Sequence, residues 1–239
     1  PTAVWSAKDA PTKPELHVIT NAAAKIHRIA TGNHTGRYTV SISASEPGAT
    51  MDMDLEPFAP VSTTPAGHRI LDAATWLFRE QGITATGVDS IAERASTTKR
   101  TLYQRFDSKD HLVACYLQQR AHNWQGELVT ALQQASLAEG LDIVYDHTIR
   151  WAGDTLRGCA FANAWAEIGA SDHQATRIIL NEKNWMLALF TILAEGNHRM
   201  AGLLHLLHEG AQVTASIHQD PTVFTEARTA SHHLLASRS

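Results

Sequence analysis

With 239 residues, 44% of them hydrophobic and 18% charged, the chain is long enough for one large or two modest globular domains with a true hydrophobic core. Its formal net charge of −4 excludes a uniformly basic nucleic-acid binder, so any affinity for DNA has to come from a local patch. Two cysteines, Cys115 and Cys159, exclude a disulfide framework and suit a reducing, cytoplasmic setting, and no apolar run reaches the ~18 residues that a membrane span needs.

Residues 1–64 differ from the rest. They contain PTKP, a serine-rich SISASEPG and EPFAPVSTTP, with weak apolar periodicity. PELHVITNAAAKIHRIA could form a short helix and RYTVSIS a strand, but neither has an evident partner segment that would bury it. The expectation for 1–64 is a largely disordered leader or extension, and Met51 and Met53 mark a candidate natural start just before the composition changes.

From residue 65 the pattern is helical. Pro65 suits a first helical turn. Ile70, Ala74, Leu77, Phe78 and Gln81 follow at i, i+4, i+7, i+8 and i+11, which predicts one stripe that is apolar at four of five positions, and Gly82 is placed to end the helix. Thr86 and Asp89 have the spacing of a capping box for a second, short helix with Val88, Ile91, Ala92 and Ala95 inside. Ser96-Thr97-Thr98 forms a turn. A third helix from about Lys99 to Phe106 puts Leu102 and Phe106 inside, and a long helix starts at Asp107-Ser108. Two short helices joined by a three-residue turn and packed on a preceding helix make a helix-turn-helix.

The third helix leaves Lys99, Arg100, Thr101, Tyr103, Gln104 and Arg105 pointing outward. Arginine and lysine can pair with guanine edges or phosphates, glutamine can bond adenine, threonine can touch a thymine methyl and tyrosine can reach a phosphate. Between Arg94 and Lys109 there are five basic residues (Arg94, Lys99, Arg100, Arg105, Lys109) and one acidic, Asp107, so the local balance is 5 − 1 = +4. A basic helix face is also common without DNA, so charge alone leaves both readings open.

The stretch from Arg69 to Leu117 closely resembles the N-terminal domain of TetR-type regulators: RILDAA, LF, the G-x-x-x-T-x-V-x-x-IAE-x-A block and K-x-TLY-x-x-F-x-SK occur together over about fifty residues. The resemblance implies an all-α fold, with a helix-turn-helix domain over 65–110 and a helical ligand-binding and dimerisation domain over 111–239. It implies that Thr98, Lys99, Thr101, Tyr103, Gln104 and Arg105 face the major groove and its flanking phosphates, with Thr86 and Lys109 near phosphates. Ser96 stands where the family usually has glycine, Thr97 where a small apolar residue is usual, Arg100 where glycine is frequent and Arg105 where histidine is frequent, so base preference should differ.

In the body, RGC-x-F-x-NA-x-AE and LL-x-L-x-EGA resemble, more softly, one branch of the same family. They imply a homodimer, built by the last two helices, with an unidentified small-molecule effector inside each body and a double-stranded DNA operator as partner. The run MAGLLHLLHEGAQVTASI is apolar nearly all round, which predicts burial on most sides. Asp220-Pro221 is placed to start the last helix. Trp124, Trp151, Phe161, Trp165 and Trp185, with His122, His147 and Asn163 as polar points, are candidates for the effector pocket, although such aromatics equally serve as plain core. No cofactor or metal is expected: His205, His208 and Glu209, with His198 two turns back, could seed a site, but residues three apart on a helix are common by chance. Ser171-Asp172-His173 are consecutive rather than assembled in space, and no G-x-S-x-G, phosphate loop or dinucleotide fingerprint occurs, so no enzyme is expected.

Overall fold

The computed structural model describes residues 25–26, 40–41, 51, 53–153, 156–170 and 172–237. Apart from one two-residue antiparallel pair, β1 (Lys25–Ile26) with β2 (Val40–Ser41), every described element is helical. Val40–Ser41 lies in the expected strand. Lys25–Ile26 falls in the stretch read as a helix and pairs as strand instead; the rest of residues 1–50 lies outside the described residues.

The helices are α1 (Pro65–Gln81), α2 (Val88–Arg94), α3 (Lys99–Phe106), α4 (Lys109–Leu132), α5 (Gly140–Ala152), α6 (Ala160–Ile168), α7 (Ala175–Leu193), α8 (His198–His218) and α9 (Thr222–Ala236). Their ends follow local chemistry. The hydroxyls of Thr64, Thr98 and Ser108 accept from the backbone N–H groups of Gly67, Thr101 and His111 at 3.2, 3.2 and 3.0 Å, capping α1, α3 and α4. Gly82 ends α1 at φ 86°, a conformation that a side chain resists. The capping box expected at Thr86 and Asp89 is absent, because α2 starts one residue later, with Gly87 at its N-cap and no side-chain cap.

Two apolar clusters organise the molecule. In one, Ile70, Leu77, Phe78, Ile91, Leu102 and Phe106 of the head pack with Leu112, Val113 and Leu117 of α4 and with Phe161, Ala164 and Ile168 of α6. In the other, α5, α7, α8 and α9 close round Tyr145, Trp185, Phe190 and Phe224. The N-terminal half of α4 thus belongs to the head core, and its C-terminal half to the body core.

Residues 51 and 53–64, part of the stretch expected to be largely disordered, pack against the helices instead. They run antiparallel along α4: the Met51 N–H donates to the Ala135 carbonyl at 2.9 Å, the Phe58 N–H to Gln125 Oε1 at 2.9 Å and the Val61 N–H to Gln119 Oε1 at 2.9 Å. Trp185 Nε1 donates to the Glu56 carbonyl at 2.8 Å, and His122 Nδ1 donates to the Phe58 carbonyl at 2.6 Å. Met51, Met53 and Leu55 are buried in the body core, each worth about 1.5–3 kcal/mol. Side-chain acceptors on a distant helix satisfy the strap's backbone, so it needs no periodicity of its own.

α8 is buried along Ala201, Leu204, His208, Ala211 and Ala215 only. Leu206 and Ile217, 70% and 73% exposed, stand in solvent with Leu203 and Val213, so the expected burial on most sides fails for the single chain. α9 starts at Thr222, whose N–H and hydroxyl both donate to Asp220 Oδ1, at 2.9 and 2.7 Å. Among the described residues no helix is long and apolar enough to cross a membrane.

Candidate nucleic-acid interface and effector chamber

Leu102 and Phe106, 0% and 1% exposed, anchor α3 in the head core, and that rotation decides which side chains face out. Lys99, Arg100, Tyr103, Gln104 and Arg105 are exposed and Thr101 is half-buried. Thr98 Oγ1 lies 3.0 Å from Thr101 Oγ1 besides capping the helix, so both hydroxyls are held at the N-terminal edge of the face. Lys99 Nζ sits 2.8 Å from Asp89 Oδ1 of α2, both groups exposed, and the hydrogen bond and charge of Asp89 raise the lysine pKa. Ser96 supplies the positive φ of the turn, 50°, without being glycine.

Two basic residues of the patch have other partners. The Arg94 guanidinium lies 3.6 Å from the centroid of the Trp76 ring, a cation–π contact on the head surface. Lys109 Nζ reaches the Thr84 carbonyl at 3.5 Å and so joins the start of α4 to the α1–α2 turn. Thr86 does not offer its hydroxyl to a phosphate: the residue is 1% exposed and Oγ1 donates to the Gly82 carbonyl at 2.6 Å. The cause is local, since its side chain closes the turn instead of capping the next helix.

The head is gripped from below by α6 and the loop before it. The Glu167 carboxylate accepts the backbone N–H groups of Ile83 and Thr84 at 3.0 and 2.7 Å. The Arg157 guanidinium donates to the Arg79 and Glu80 carbonyls at 2.6 and 3.1 Å and to Glu80 Oε2 at 3.0 Å, using acceptors that the end of α1 leaves open. A Cβ on Gly82 would stand 3.2 Å from the Glu167 oxygens. These contacts span 77 to 84 positions of sequence.

Two adjoining clefts open on the same α6 segment. One, between head and body, has Phe78, Tyr116, Trp151, Arg157, Asn163 and Glu167 in its wall. The other enters the body between Trp124, Trp151 and Phe161 and ends on Glu182, His208 and Glu209. They share Arg120, Trp151, Ala152, Gly158 and Ala160, and each encloses about 50 Å³, room for little beyond water. The sequence candidates divide accordingly. Trp124, Trp151, Phe161 and Asn163 are lining residues. Trp185, 0% exposed, is core with its indole N–H spent on the strap, and Trp165 is 44% exposed. His122 and His147 are spent on the carbonyls of Phe58 and Trp124, at 2.6 and 2.9 Å. These four lie outside both clefts.

Sequence reasoning missed the floor. Lys183 Nζ stands 2.9 Å from Glu209 Oε1, 3.2 Å from Glu182 Oε2 and 3.1 Å from Cys159 Sγ. Burial pushes the Glu182 pKa up. Burial alone would lower that of Lys183, but Glu182, Cys159 and Glu209 together hold it above its ordinary value. Glu209 is held well below the usual carboxylate range, despite its burial, by His205 and Lys183. Thr148 Oγ1 donates to the Val144 carbonyl at 2.8 Å, so the 2.9 Å contact with His208 has Nε2 donating to that hydroxyl oxygen. Burial lowers the His208 pKa, which suits this neutral ring. A run of Glu-Lys on α7 facing His-Glu on α8 was the one available signal, and it looks like ordinary surface charge until the helices pack. His205 and His208 turn to Glu209 and Thr148, and among the described residues no three His, Cys, Asp or Glu side chains converge as a metal site. Of the discounted serine-aspartate-histidine run, His173 accepts the Ala175 N–H at 3.0 Å at the start of α7; Ser171 lies outside the described residues.

Residues 70–115 match the family described as bacterial regulatory proteins, tetR family. The activator FasR of Mycolicibacterium smegmatis is 40% identical over 67 residues, and the uncharacterised regulator YvkB of Bacillus subtilis is 39% identical over 59 residues. Those segments cover 28% and 25% of this chain and 29% and 31% of the relatives, so the likeness to them spans less than a third of their length. A solved structure reaches further: SCO4454, a TetR-family transcriptional regulator from Streptomyces coelicolor, is 28% identical, with a TM-score of 0.67 over 72% of this chain and 94% of that one. The head thus carries a domain of the tetR family over residues 70–115, and head and body together are similar in fold to a TetR-family transcriptional regulator.

Proposed function

We propose that the protein is a cytoplasmic, homodimeric repressor that holds a DNA operator through α3 and releases it when a small molecule enters the body clefts. The observation that carries the reading is α6: one helix walls both clefts and grips the head through Glu167. As each cleft encloses only about 50 Å³, a ligand of drug size has to part the walls, and Gly158 and Ala160 lie on the shared boundary. Displacing α6 moves the Ile83–Thr84 turn and, with it, the angle of α3. The ligand acts by binding the displaced conformer better; reversing a 99:1 preference requires a differential of about 5.5 kcal/mol.

In this reading Lys99, Arg100, Thr101, Tyr103, Gln104 and Arg105 meet the major groove and its phosphates, with Thr98 and Lys109 at the edges. The apolar stripe Leu203, Leu206, Val213 and Ile217, continued by Leu234 of α9, is the face that a second copy covers, since a stripe of this kind is costly in water. No catalytic residue is assigned.

The test is enrichment of source-genome fragments by the purified full chain, followed by footprinting. The expected result is protection of a pseudo-palindrome with half-sites on one face of the duplex. Affinity should fall steeply with salt. The absence of any enriched fragment at low and moderate salt would instead favour a helical small-molecule-binding protein with a silent head. FasR is named an activator, and a reporter fused to the protected site tells activation from repression.

A further inference from the structure

The floor of the inner cleft leaves one carboxylate short of partners. Glu209 takes Lys183 Nζ at 2.9 Å and faces His205 Nε2 at 3.6 Å, whereas Glu182 has only the shared Lys183, and the nearby His208 ring is neutral. Glu182 is 5% exposed, and its Oε2 makes no hydrogen bond, although Lys183 Nζ stands 3.2 Å away. A buried carboxylate oxygen with no donor is costly, and this one sits at the end of a cleft walled by Trp124, Trp151 and Phe161. Aromatic faces above a carboxylate suit a cation attached to an apolar body. The walls already show the preference: the Arg120 guanidinium lies 5.3 Å from the Trp151 ring centroid and Lys183 Nζ 5.8 Å from that of Phe161.

From this geometry we infer that the cleft binds an organic cation, an amine or amidine on an aromatic body, whose N–H groups donate to Glu182 Oε2 while its ring lies among Trp124, Trp151 and Phe161. The ligand's charge supplies the missing partner for the second carboxylate. Before the ligand enters, burial favours a proton on Glu182 in that role, and the entering cation displaces it to solvent. The opposing group is Arg120 on the shared wall, a cation that an anionic ligand could meet instead. The inference rests on the proposed function only in treating this cleft as the effector chamber.

The test uses three planar molecules of nearly the same shape, benzamidine, benzamide and benzoate, titrated into the full chain without DNA and read by tryptophan fluorescence and calorimetry. Benzamidine should bind at least ten-fold more tightly than benzamide, with benzoate weakest. Glu182→Gln should bring the benzamidine-to-benzamide ratio close to one while leaving the helical circular dichroism intact. Equal or tighter binding of benzamide or benzoate overturns the proposal, as does failure of all three to bind at millimolar concentration. Should Glu182→Gln fail to fold, the wild-type series alone decides. Because binding is measured without DNA, a cation that binds yet leaves an operator complex undisturbed refutes the effector reading and not this one.

Discussion

Replacing Glu167 with alanine removes both acceptors that hold the α1–α2 turn. The Ile83 and Thr84 N–H groups donate to this carboxylate at 3.0 and 2.7 Å. A hydrogen bond to a charged group contributes about 1.5–3 kcal/mol. Glu167 is exposed and water can replace part of each bond, so about 1 kcal/mol apiece, or about 2 kcal/mol together, is the working figure. At about 1.4 kcal/mol per factor of ten, the turn should open about thirty-fold more often. Amide hydrogen exchange reads this directly: Ile83 and Thr84 should exchange about thirty-fold faster in Glu167→Ala, while the amides of Leu112 and Leu117 in the core of α4 keep their rates. Glu167→Gln, which retains a neutral acceptor, should be intermediate. The alanine variant should still bind effector but release DNA less in response. Unchanged exchange at Ile83 and Thr84 would refute the clasp, and faster exchange with an unaltered DNA response would refute its role in transmission.

Other expectations follow from single residues. Asp89→Asn frees Lys99 from its 2.8 Å ion pair and removes a carboxylate from the DNA face, so operator affinity should rise several-fold in an anisotropy titration; Lys99→Ala should weaken binding and lower the salt slope by about one ion. Ser96→Gly relieves a left-handed backbone at φ 50° and should stabilise the protein by about 0.5–1 kcal/mol, raising the thermal midpoint; an unchanged or lower midpoint would remove the claim of strain. Burial holds the His208 pKa below its ordinary value of 6.5. The unfolded chain therefore binds a proton more readily there, so its contribution to stability is complete above about pH 6.5 and is lost as pH falls through the lowered folded value. Thermal midpoints taken from pH 7.5 down to 5 should fall less steeply in His208→Gln than in the wild type, and parallel curves would contradict that origin.

The sequence by itself determined the parts of this protein that depend on neighbours within a few turns of helix. The stripe through Ile70, Ala74, Leu77 and Phe78, the glycine at 82, the threonine cap at 98 and the anchors Leu102 and Phe106 all act over at most eleven residues, so periodicity and caps were enough to place α1, α3 and the outward set of Lys99 to Arg105. Where a cap had two local choices the reading failed: Thr86 closes the preceding turn through the Gly82 carbonyl instead of starting α2. Tertiary structure alone decided the rest, because its energetics come from groups far apart in the chain. The strap 51–64 has no pattern of its own and is held by Gln119, His122, Gln125 and Trp185. Asp89, ten residues before Lys99 and on a different helix, neutralises it across space. Glu182 and Lys183 become a buried charged cluster only when α8 brings Glu209 against them, and Glu167 becomes a clasp on the helix-turn-helix head only when α6 packs beneath the turn at Ile83. Burial turns such residues from solvated charges into strong, directional partners, and burial is set by the packing of whole helices rather than by any local run of sequence.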